Sequence, residues 1–127
     1  MSVVDVTYAN AVAQLKDRLV EELGARVESI ILYGSVAKKT ANEESDIDIL
    51  IVTREYDRSL YDKISKIRTR IDLENNTLTA LVHVTSEELE RYAKLGSPFM
   101  KSIAEEGVIL YDRGIFKKLR GSILAKS

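Results

Sequence analysis

The sequence predicts an α/β protein in which helices flank a central sheet of about four strands. Segments rich in β-branched and apolar residues alternate along the chain with segments of helical periodicity. The apolar runs are nearly continuous, which is typical of strands covered on both faces. Because the 127 residues contain no repeat, low-complexity tract or linker, we expect one domain spanning residues 1–127.

The first half of the chain predicts one helix and two strands. The helix, Thr7–Leu23, has apolar residues at every third or fourth position and ends before Gly24. The first strand, Val27–Tyr33, becomes continuously apolar at its centre, and the second, Ile47–Val52, is rich in β-branched residues. Because only about a dozen residues join these two strands, antiparallel pairing between them stays open.

The second half of the chain predicts four helices and two strands, each bounded by start and stop signals. Asparagine, glycine and proline mark the turns, and a Thr-x-x-Glu capping box opens one helix. In chain order the elements are a helix with an apolar stripe from Leu60 to Ile71, a strand at Leu78–Thr85, a helix from Thr85 to near Gly96, a helix from Ser97-Pro98 to Gly107, a strand at Val108–Tyr111 and an amphipathic helix with apolar positions from Ile115 to Ile123.

Composition excludes several classes of protein. Hydrophobic residues make up 45% and charged residues 31% of the chain, which indicates a globular rather than a disordered protein. The formal net charge of −1, without a long block of one sign, gives no strong signal for nucleic-acid binding. The absence of cysteine excludes disulfides, thiol catalysis and cysteine–zinc sites. No transmembrane or signal-peptide pattern is found, so we predict a cytoplasmic protein without a membrane partner.

The second strand carries two carboxylates at its entry, which is unusual for a buried strand. Side chains on a strand alternate between its faces, so Asp46 and Asp48 point the same way, about 7 Å apart. Burying two carboxylates side by side is unfavourable unless a cation compensates. A divalent ion with oxygen ligands, such as Mg²⁺, meets this need and shares its coordination shell with substrate phosphates.

The turn after the first strand supplies groups that suit a phosphate. Gly34 lets the backbone approach a ligand closely, and the hydroxyl of Ser35 can donate to a phosphate oxygen. Lys38 and Lys39 add positive charge. Taken singly, a Gly-Ser turn or an Asp-x-Asp that caps neighbouring amides is more often structural. In the order strand, Gly-Ser, short helix, Asp-x-Asp, strand, the pattern is much more specific.

This order resembles the signature of the DNA polymerase beta-like nucleotidyltransferase superfamily. The motif is Tyr33-Gly34-Ser35, ten intervening residues, then Asp46-Ile47-Asp48. It is most similar to the small prokaryotic minimal nucleotidyltransferases that are encoded beside HEPN-domain proteins as antitoxins. The strong motif covers residues 31–52. The element order, including the ending SPFMKSIAEEGVILYDR, is similar over most of the chain.

The resemblance implies a nucleotidyltransferase fold with a mixed central sheet. It implies that Gly34 and Ser35 bind a nucleoside triphosphate, and that Asp46 and Asp48 are the catalytic residues and hold two Mg²⁺ ions. We expect Lys38, because of its charge, to join Gly34 and Ser35 in binding the nucleotide. An acceptor hydroxyl, expected on a protein, would receive a nucleoside monophosphate, expected to be AMP from ATP. The resemblance implies a HEPN-domain protein as partner. Because 127 residues leave little room for an acceptor domain beside a catalytic core, a second copy of the chain is the other expected partner.

Two departures from the family pattern bear on activity. Family members often have Arg-Gly where this chain has Lys38-Lys39. Active members also carry a third carboxylate on the next strand, whereas the sequence LTALVHVT contains no acid. Asp72 and Glu74 lie upstream, where a helix end or turn should hold them away from the site. His83 is either a structural histidine or a substitute base.

Two functions therefore remain open from the sequence. The intact aspartate pair favours an active nucleotidyltransferase. The missing third acid favours a catalytically weakened, nucleotide-binding antitoxin that neutralises a HEPN partner by occlusion. The basic residues from Arg113 to Lys126 are either solvated surface or a docking site for an acidic partner.

Overall fold

A computed structural model describes residues 3–42 and 44–125 of the chain. Helices and strands alternate, as predicted. They are α1 (Val3–Leu23), β1 (Val27–Tyr33), α2 (Gly34–Ala37), β2 (Ile47–Thr53), α3 (Arg58–Asn75), β3 (Thr79–Thr85), α4 (Ser86–Lys94), α5 (Pro98–Glu106), β4 (Val108–Asp112) and α6 (Ile115–Ala125). In these described ranges, no helix is long and apolar enough to cross a bilayer.

The four strands form one mixed sheet in the order β3-β2-β1-β4. The central strand β1 is antiparallel to both β2 and β4, whereas β2 and β3 are parallel. The connection lengths explain this arrangement, because the short α2 segment permits an antiparallel pair and the 18-residue helix α3 provides a crossover between parallel strands. The predicted mixed sheet flanked by helices is confirmed.

Helices cover both faces of the sheet, which explains the continuous apolar runs in its central strands. Helices α1 and α3 pack on one face, where they bury the side chains of Ile49 and Ile51. Helices α4, α5 and α6 pack on the other face against Leu50 and Val52. Alternate residues of β2 therefore contribute to different halves of the core. The four residues from Ile49 to Val52 are all apolar and fully buried.

The element boundaries differ from the predicted ones by a few residues. Helix α1 begins at Val3, four residues before the predicted start, because Val3–Tyr8 continues the helix without a breaker. Helix α3 begins after Asp57, whose side chain accepts a hydrogen bond from the amide of Leu60.

In the predicted basic segment, Lys126 lies outside the described residues. Arg120 in that segment donates to the carbonyl groups of Ala104 and Gly107, so its charge serves the fold.

His83 has the environment of a structural histidine. It lies in register with Ile51, on the sheet face opposite to Asp48. The Thr53 hydroxyl donates its only proton to the carbonyl oxygen of Glu55, so it accepts from Nε2 of His83 at 2.7 Å. The remaining ring nitrogen, Nδ1, is buried and has no hydrogen-bond partner among the described residues. Position and bonding both argue against a role as substitute base.

We expect the protein to lose stability as the pH falls through the ordinary range of histidine. Burial lowers the pKa of His83, and the nearby Glu88 only partly opposes this. The unfolded chain therefore takes up a proton near pH 6.5 that the folded protein refuses, so the free energy of unfolding decreases from about pH 6.5 down to the lower folded pKa. Urea unfolding at several pH values measures the slope. In His83→Gln the slope in this window should vanish, since the chain has no other histidine. An unchanged slope in His83→Gln would show that His83 does not cause the pH dependence of stability.

Candidate active site

The predicted site residues meet at one end of the sheet, where β1 ends and β2 begins. Tyr33, the last residue of β1, pairs directly with Asp48 in β2. Gly34 follows Tyr33 and opens the short helix α2, which contains Ser35. Antiparallel pairing of the two strands thus places the Gly34-Ser35 turn beside the Asp-x-Asp segment.

Gly34 lies in direct contact with the Asp48 carboxylate. Its φ of 74° is in the left-handed region, which residues other than glycine adopt only with strain. A Cβ at this position would overlap Oδ2 of Asp48 and lie 3.0 Å from its Cγ. Glycine is therefore required here both for the backbone conformation and for the space that the carboxylate occupies.

The two aspartates form an uncompensated negative cluster. Burial raises the pKa of Asp48, and the negative charge of Asp46 raises it further. Asp48 is partly buried and Asp46 is exposed. Within residues 3–42 and 44–125, neither side chain accepts a hydrogen bond or pairs with a basic residue. The structural alternative, in which these carboxylates cap neighbouring amides, therefore receives no support from the bonding in the structure.

Two other aspartates in the chain accept several hydrogen bonds and have structural roles. Asp72 accepts hydrogen bonds from both Thr77 and Thr79 and so holds the start of β3. Asp112 accepts from the buried Ser29 hydroxyl and from two amides at the start of α6. These groups are satisfied by the protein itself, in contrast to Asp46 and Asp48.

The donor set fits a divalent cation that also binds a substrate. Two adjacent carboxylates without a basic partner are suitable ligands for Mg²⁺, which usually takes its remaining ligands from water and phosphate oxygens. Over the described part of the chain, no cluster of three or more His, Cys, Asp or Glu side chains could hold a metal. A metal bound by Asp46 and Asp48 would therefore have no third ligand from these residue types and would need water or phosphate oxygens.

The turn around α2 presents a free hydroxyl and a basic side chain. Ser35 is partly exposed, and its hydroxyl makes no hydrogen bond to another described residue. Nζ of Lys38 lies 2.9 Å from a carboxylate oxygen of Glu106, in an exposed ion pair. Exposed pairs of this kind contribute little to stability, so Lys38 can exchange Glu106 for a phosphate at small cost.

The departure from Arg-Gly at positions 38 and 39 leaves the turn intact. Lys39 adopts a φ of 60°, the left-handed conformation that glycine takes readily. The turn is closed by hydrogen bonds from the Lys38 amide to the Gly34 carbonyl and from the Thr40 amide to the Ser35 carbonyl. The substitution therefore keeps the backbone shape, with some strain at Lys39.

The third carboxylate has no replacement among the candidates that the sequence offered. Ala80 is the β3 residue in register with Asp48, and it is exposed. Asp72 is held by the turn before β3, and Glu74 forms an ion pair with Arg70. His83 lies on the other face of the sheet. The space beside Asp48 on β3 is thus occupied only by a methyl group.

Sequence reasoning missed one aromatic neighbour of the site. The Phe99 ring packs edge-to-face on Tyr33, with ring centroids 5.5 Å apart and an interplanar angle of 86°. Phe99 is nevertheless 42% exposed. Its position after Ser97-Pro98 marks a helix start but carries no local signal for proximity to Tyr33, since helix α5 reaches the site only through tertiary packing.

The fold agrees with comparison to known families. The family model described as a nucleotidyltransferase domain matches residues 12–111. A Methanocaldococcus jannaschii protein named "putative protein adenylyltransferase" is 35% identical over 101 residues, which cover 80% of this chain and 95% of that protein. The chain belongs to the nucleotidyltransferase domain family.

Solved toxin–antitoxin complexes contain chains of the same fold. A chain in a toxin–antitoxin complex with AMP-PNP superimposes with a TM-score of 0.63 at 15% identity, covering 90% of this chain and 85% of that one. A chain from the complex of a tri-AMPylated Shewanella oneidensis HEPN toxin with its MNT antitoxin gives a TM-score of 0.51 at 12% identity, with coverage of 88% and 82%. The resemblance to nucleotidyltransferases of this architecture is confirmed.

Proposed function

We propose that this protein transfers AMP from ATP to a hydroxyl group of a protein acceptor, in a reaction that requires Mg²⁺. The observation that carries the proposal is the pair of unpaired Asp46 and Asp48 carboxylates, of which Asp48 lies against Gly34. The name of the M. jannaschii relative and the tri-AMPylated toxin in a complex of similar fold support AMP and a protein as the transferred group and the acceptor. We treat residues 1–127 as one domain in this proposal.

In the proposed reaction each site residue has a separate task. Gly34, Ser35 and Lys38 hold the triphosphate through backbone amides, a hydroxyl and a cation. Asp46 and Asp48 would hold Mg²⁺, which would supply positive charge to stabilise the transition state. The acceptor oxygen forms a bond to the α-phosphorus while the bond to the bridging oxygen breaks. Pyrophosphate leaves, and the acceptor proton passes to solvent.

The order of groups across the sheet end gives the direction from which an acceptor would approach. The phosphate turn follows β1, the aspartates lie on β2, and Ala80 lies on β3. In-line displacement requires the acceptor opposite the leaving pyrophosphate, hence on the β3 side. A cleft of about 970 Å³ with Asp46 in its wall lies between α1, α3 and the segments that precede β2 and β3. Leu73 and Leu78 line it and are 80% and 70% exposed, which suits contact with a protein rather than with a small polar acceptor.

A second function, nucleotide-dependent binding of a HEPN-domain partner without transfer, is favoured by one observation. Ala80 stands in register with Asp48, where a carboxylate could assist deprotonation of the acceptor. In this alternative, the protein retains nucleotide binding and neutralises its partner by covering it. A second copy of the chain remains the other partner to test, and the cytoplasmic location remains a prediction.

Ala80→Asp should increase transfer if catalysis is limited by the missing acid. Paired positions on neighbouring strands lie about 5 Å apart on the same face, so the new carboxylate would reach the site beside Asp48. We expect a rise in turnover of about 100-fold, the scale of general base catalysis, measured as release of labelled pyrophosphate from γ-labelled ATP. Ala80→Asn, which has nearly the same size as aspartate but no charge, is the matched control at the same exposed position. Equal turnover in wild type and Ala80→Asp would show that this position does not limit the reaction.

The proposed function is tested with α-labelled ATP and Mg²⁺, with and without a candidate HEPN-domain protein. Label transferred to the protein acceptor by the wild type, and not by Asp46→Asn/Asp48→Asn, would establish protein adenylylation. Nucleotide binding without transfer would favour the second function. Failure to bind nucleotide at all would refute both.

A further inference from the structure

We propose that Phe99, backed by Tyr33, stacks on the base of the bound nucleotide. This inference rests on the proposed function, because it assigns the base-binding part of the same site. It adds a residue that lies 51 positions after Asp48, within the ending SPFMKSIAEEGVILYDR but outside the Gly-Ser and Asp-x-Asp motifs.

Phe99 lies beside the phosphate turn and the aspartates. Tyr33 pairs with Asp48 across the two strands and is bonded directly to Gly34. The ring of Phe99 contacts Tyr33 edge-on at a centroid distance of 5.5 Å. An exposed aromatic surface is thereby placed next to the groups that would hold the triphosphate and metal.

The backbone around Phe99 is held firmly. Ser97 caps helix α5 by accepting a hydrogen bond from the Met100 amide, and Pro98 occupies the first helical position. Met100 and Ile103 are buried in the core. Phe99 is thus presented on a fixed helix start but is itself 42% exposed. The core does not account for a large apolar side chain at this position.

Helix α5 borders the site along its length. Phe99 near its start contacts Tyr33, and Glu106 at its end pairs with Lys38. Seven residues of helix separate these two contacts by about 10 Å. One helix therefore lies beside the basic residue expected to bind phosphate and also presents the aromatic ring, so a nucleotide lying along α5 would meet both.

An aromatic platform of this kind binds nucleobases by stacking. Stacking is tolerant of base identity because every base has a π face. We therefore expect Phe99 to contribute similarly to the affinity for ATP analogues and for GTP analogues. An adenine-only effect would require hydrogen bonds to the edge of the base, which a phenyl ring cannot provide.

The test compares two ligands in the presence of Mg²⁺: α,β-methylene ATP, which cannot undergo transfer at the α-phosphorus, and inorganic tripolyphosphate, which has no base. Calorimetric titration should show that Phe99→Ala weakens the ATP analogue about 10-fold and leaves tripolyphosphate affinity unchanged. Phe99→Trp should retain the affinity for the ATP analogue. Leu95→Ala is the matched control, since Leu95 is a 74% exposed apolar residue between α4 and α5. Phe99→Ala should also weaken binding of the α,β-methylene analogue of GTP, to a similar extent.

Each alternative result has a separate meaning. If Phe99→Ala binds the ATP analogue as tightly as wild type, the stacking role is refuted while the proposed function stands. If it weakens both ligands equally, Phe99 supports the phosphate turn, and the stacking role is again refuted. If the wild type binds neither ligand, the proposed nucleotide site itself is wrong, and the inference fails with it.

Discussion

Asp48→Asn is expected to abolish Mg²⁺-dependent nucleotide binding and, at the same time, to leave the protein at least as stable as wild type. The carboxylate is held in a partly buried position beside Asp46, and its pKa is raised by burial and by that neighbouring charge. A raised folded pKa means that folding disfavours the ionised form, so at neutral pH the charge of Asp48 lowers stability. The neutral amide removes this unfavourable charge but is a poor ligand for Mg²⁺.

The two effects are measured separately. Calorimetric titration with the Mg²⁺ complex of α,β-methylene ATP should show a loss of affinity of about 100-fold or more, since metal-mediated charge stabilisation contributes several kcal/mol at such sites. Thermal unfolding without ligand should show an equal or higher midpoint. A large fall in the midpoint with unchanged nucleotide affinity would make Asp48 a structural residue.

Asp112→Asn is the matched control for this experiment. Burial opposes ionisation of Asp112, but hydrogen bonds from Ser29 and from the amides at the start of α6 outweigh it and lower the pKa. Its charge therefore stabilises the fold at neutral pH, and that contribution is lost only as the pH falls below about 4. The Asp112 variant should lose about 1–2 kcal/mol of stability and retain nucleotide binding. The two aspartate variants should thus have opposite effects on stability and on binding.

Gly34→Ala should destabilise the protein for two separate reasons. The left-handed backbone at Gly34 makes any side chain unfavourable by about 1–2 kcal/mol. The added methyl group would also overlap Oδ2 of Asp48, and turning this side chain away from its present rotamer adds about 1 kcal/mol. We expect a total loss of about 2–3 kcal/mol in urea unfolding, together with loss of nucleotide binding because the carboxylate is displaced from its position beside the turn.

Gly24→Ala separates the two causes of this loss. Gly24 has a φ of 56°, but a Cβ there would meet no atom within 4 Å. Its substitution should therefore cost only the backbone strain of about 1–2 kcal/mol. Adding Asp48→Ala to Gly34→Ala should recover the part due to the overlap, as a double-mutant cycle would show. If the two glycine variants are equally destabilised, the close packing of Gly34 against Asp48 is refuted.

The sequence predicted the strands and the central part of the site because both are encoded locally. Alternating apolar runs identify β1 and β2, and a short connection between them brings Gly34 close to Asp48 once the two strands pair. The mixed character of the sheet followed from the resemblance to a known family rather than from periodicity. The pairing of β1 with β4 and of β2 with β3 joins segments far apart in the chain. Local patterns do not specify such long-range pairs.

The amino-acid sequence by itself therefore determined the family, the α/β class and the Gly-Ser and Asp-x-Asp segments, since these depend on residue types at short spacing. Only the tertiary structure decided which carboxylates remain unpaired, because hydrogen bonding distinguishes Asp48 from Asp72 and Asp112. It also placed His83 on the opposite face from Asp48 and brought Phe99 to Tyr33. Those relations depend on strand order and on the packing of α5 against the sheet, which join residues far apart in the chain.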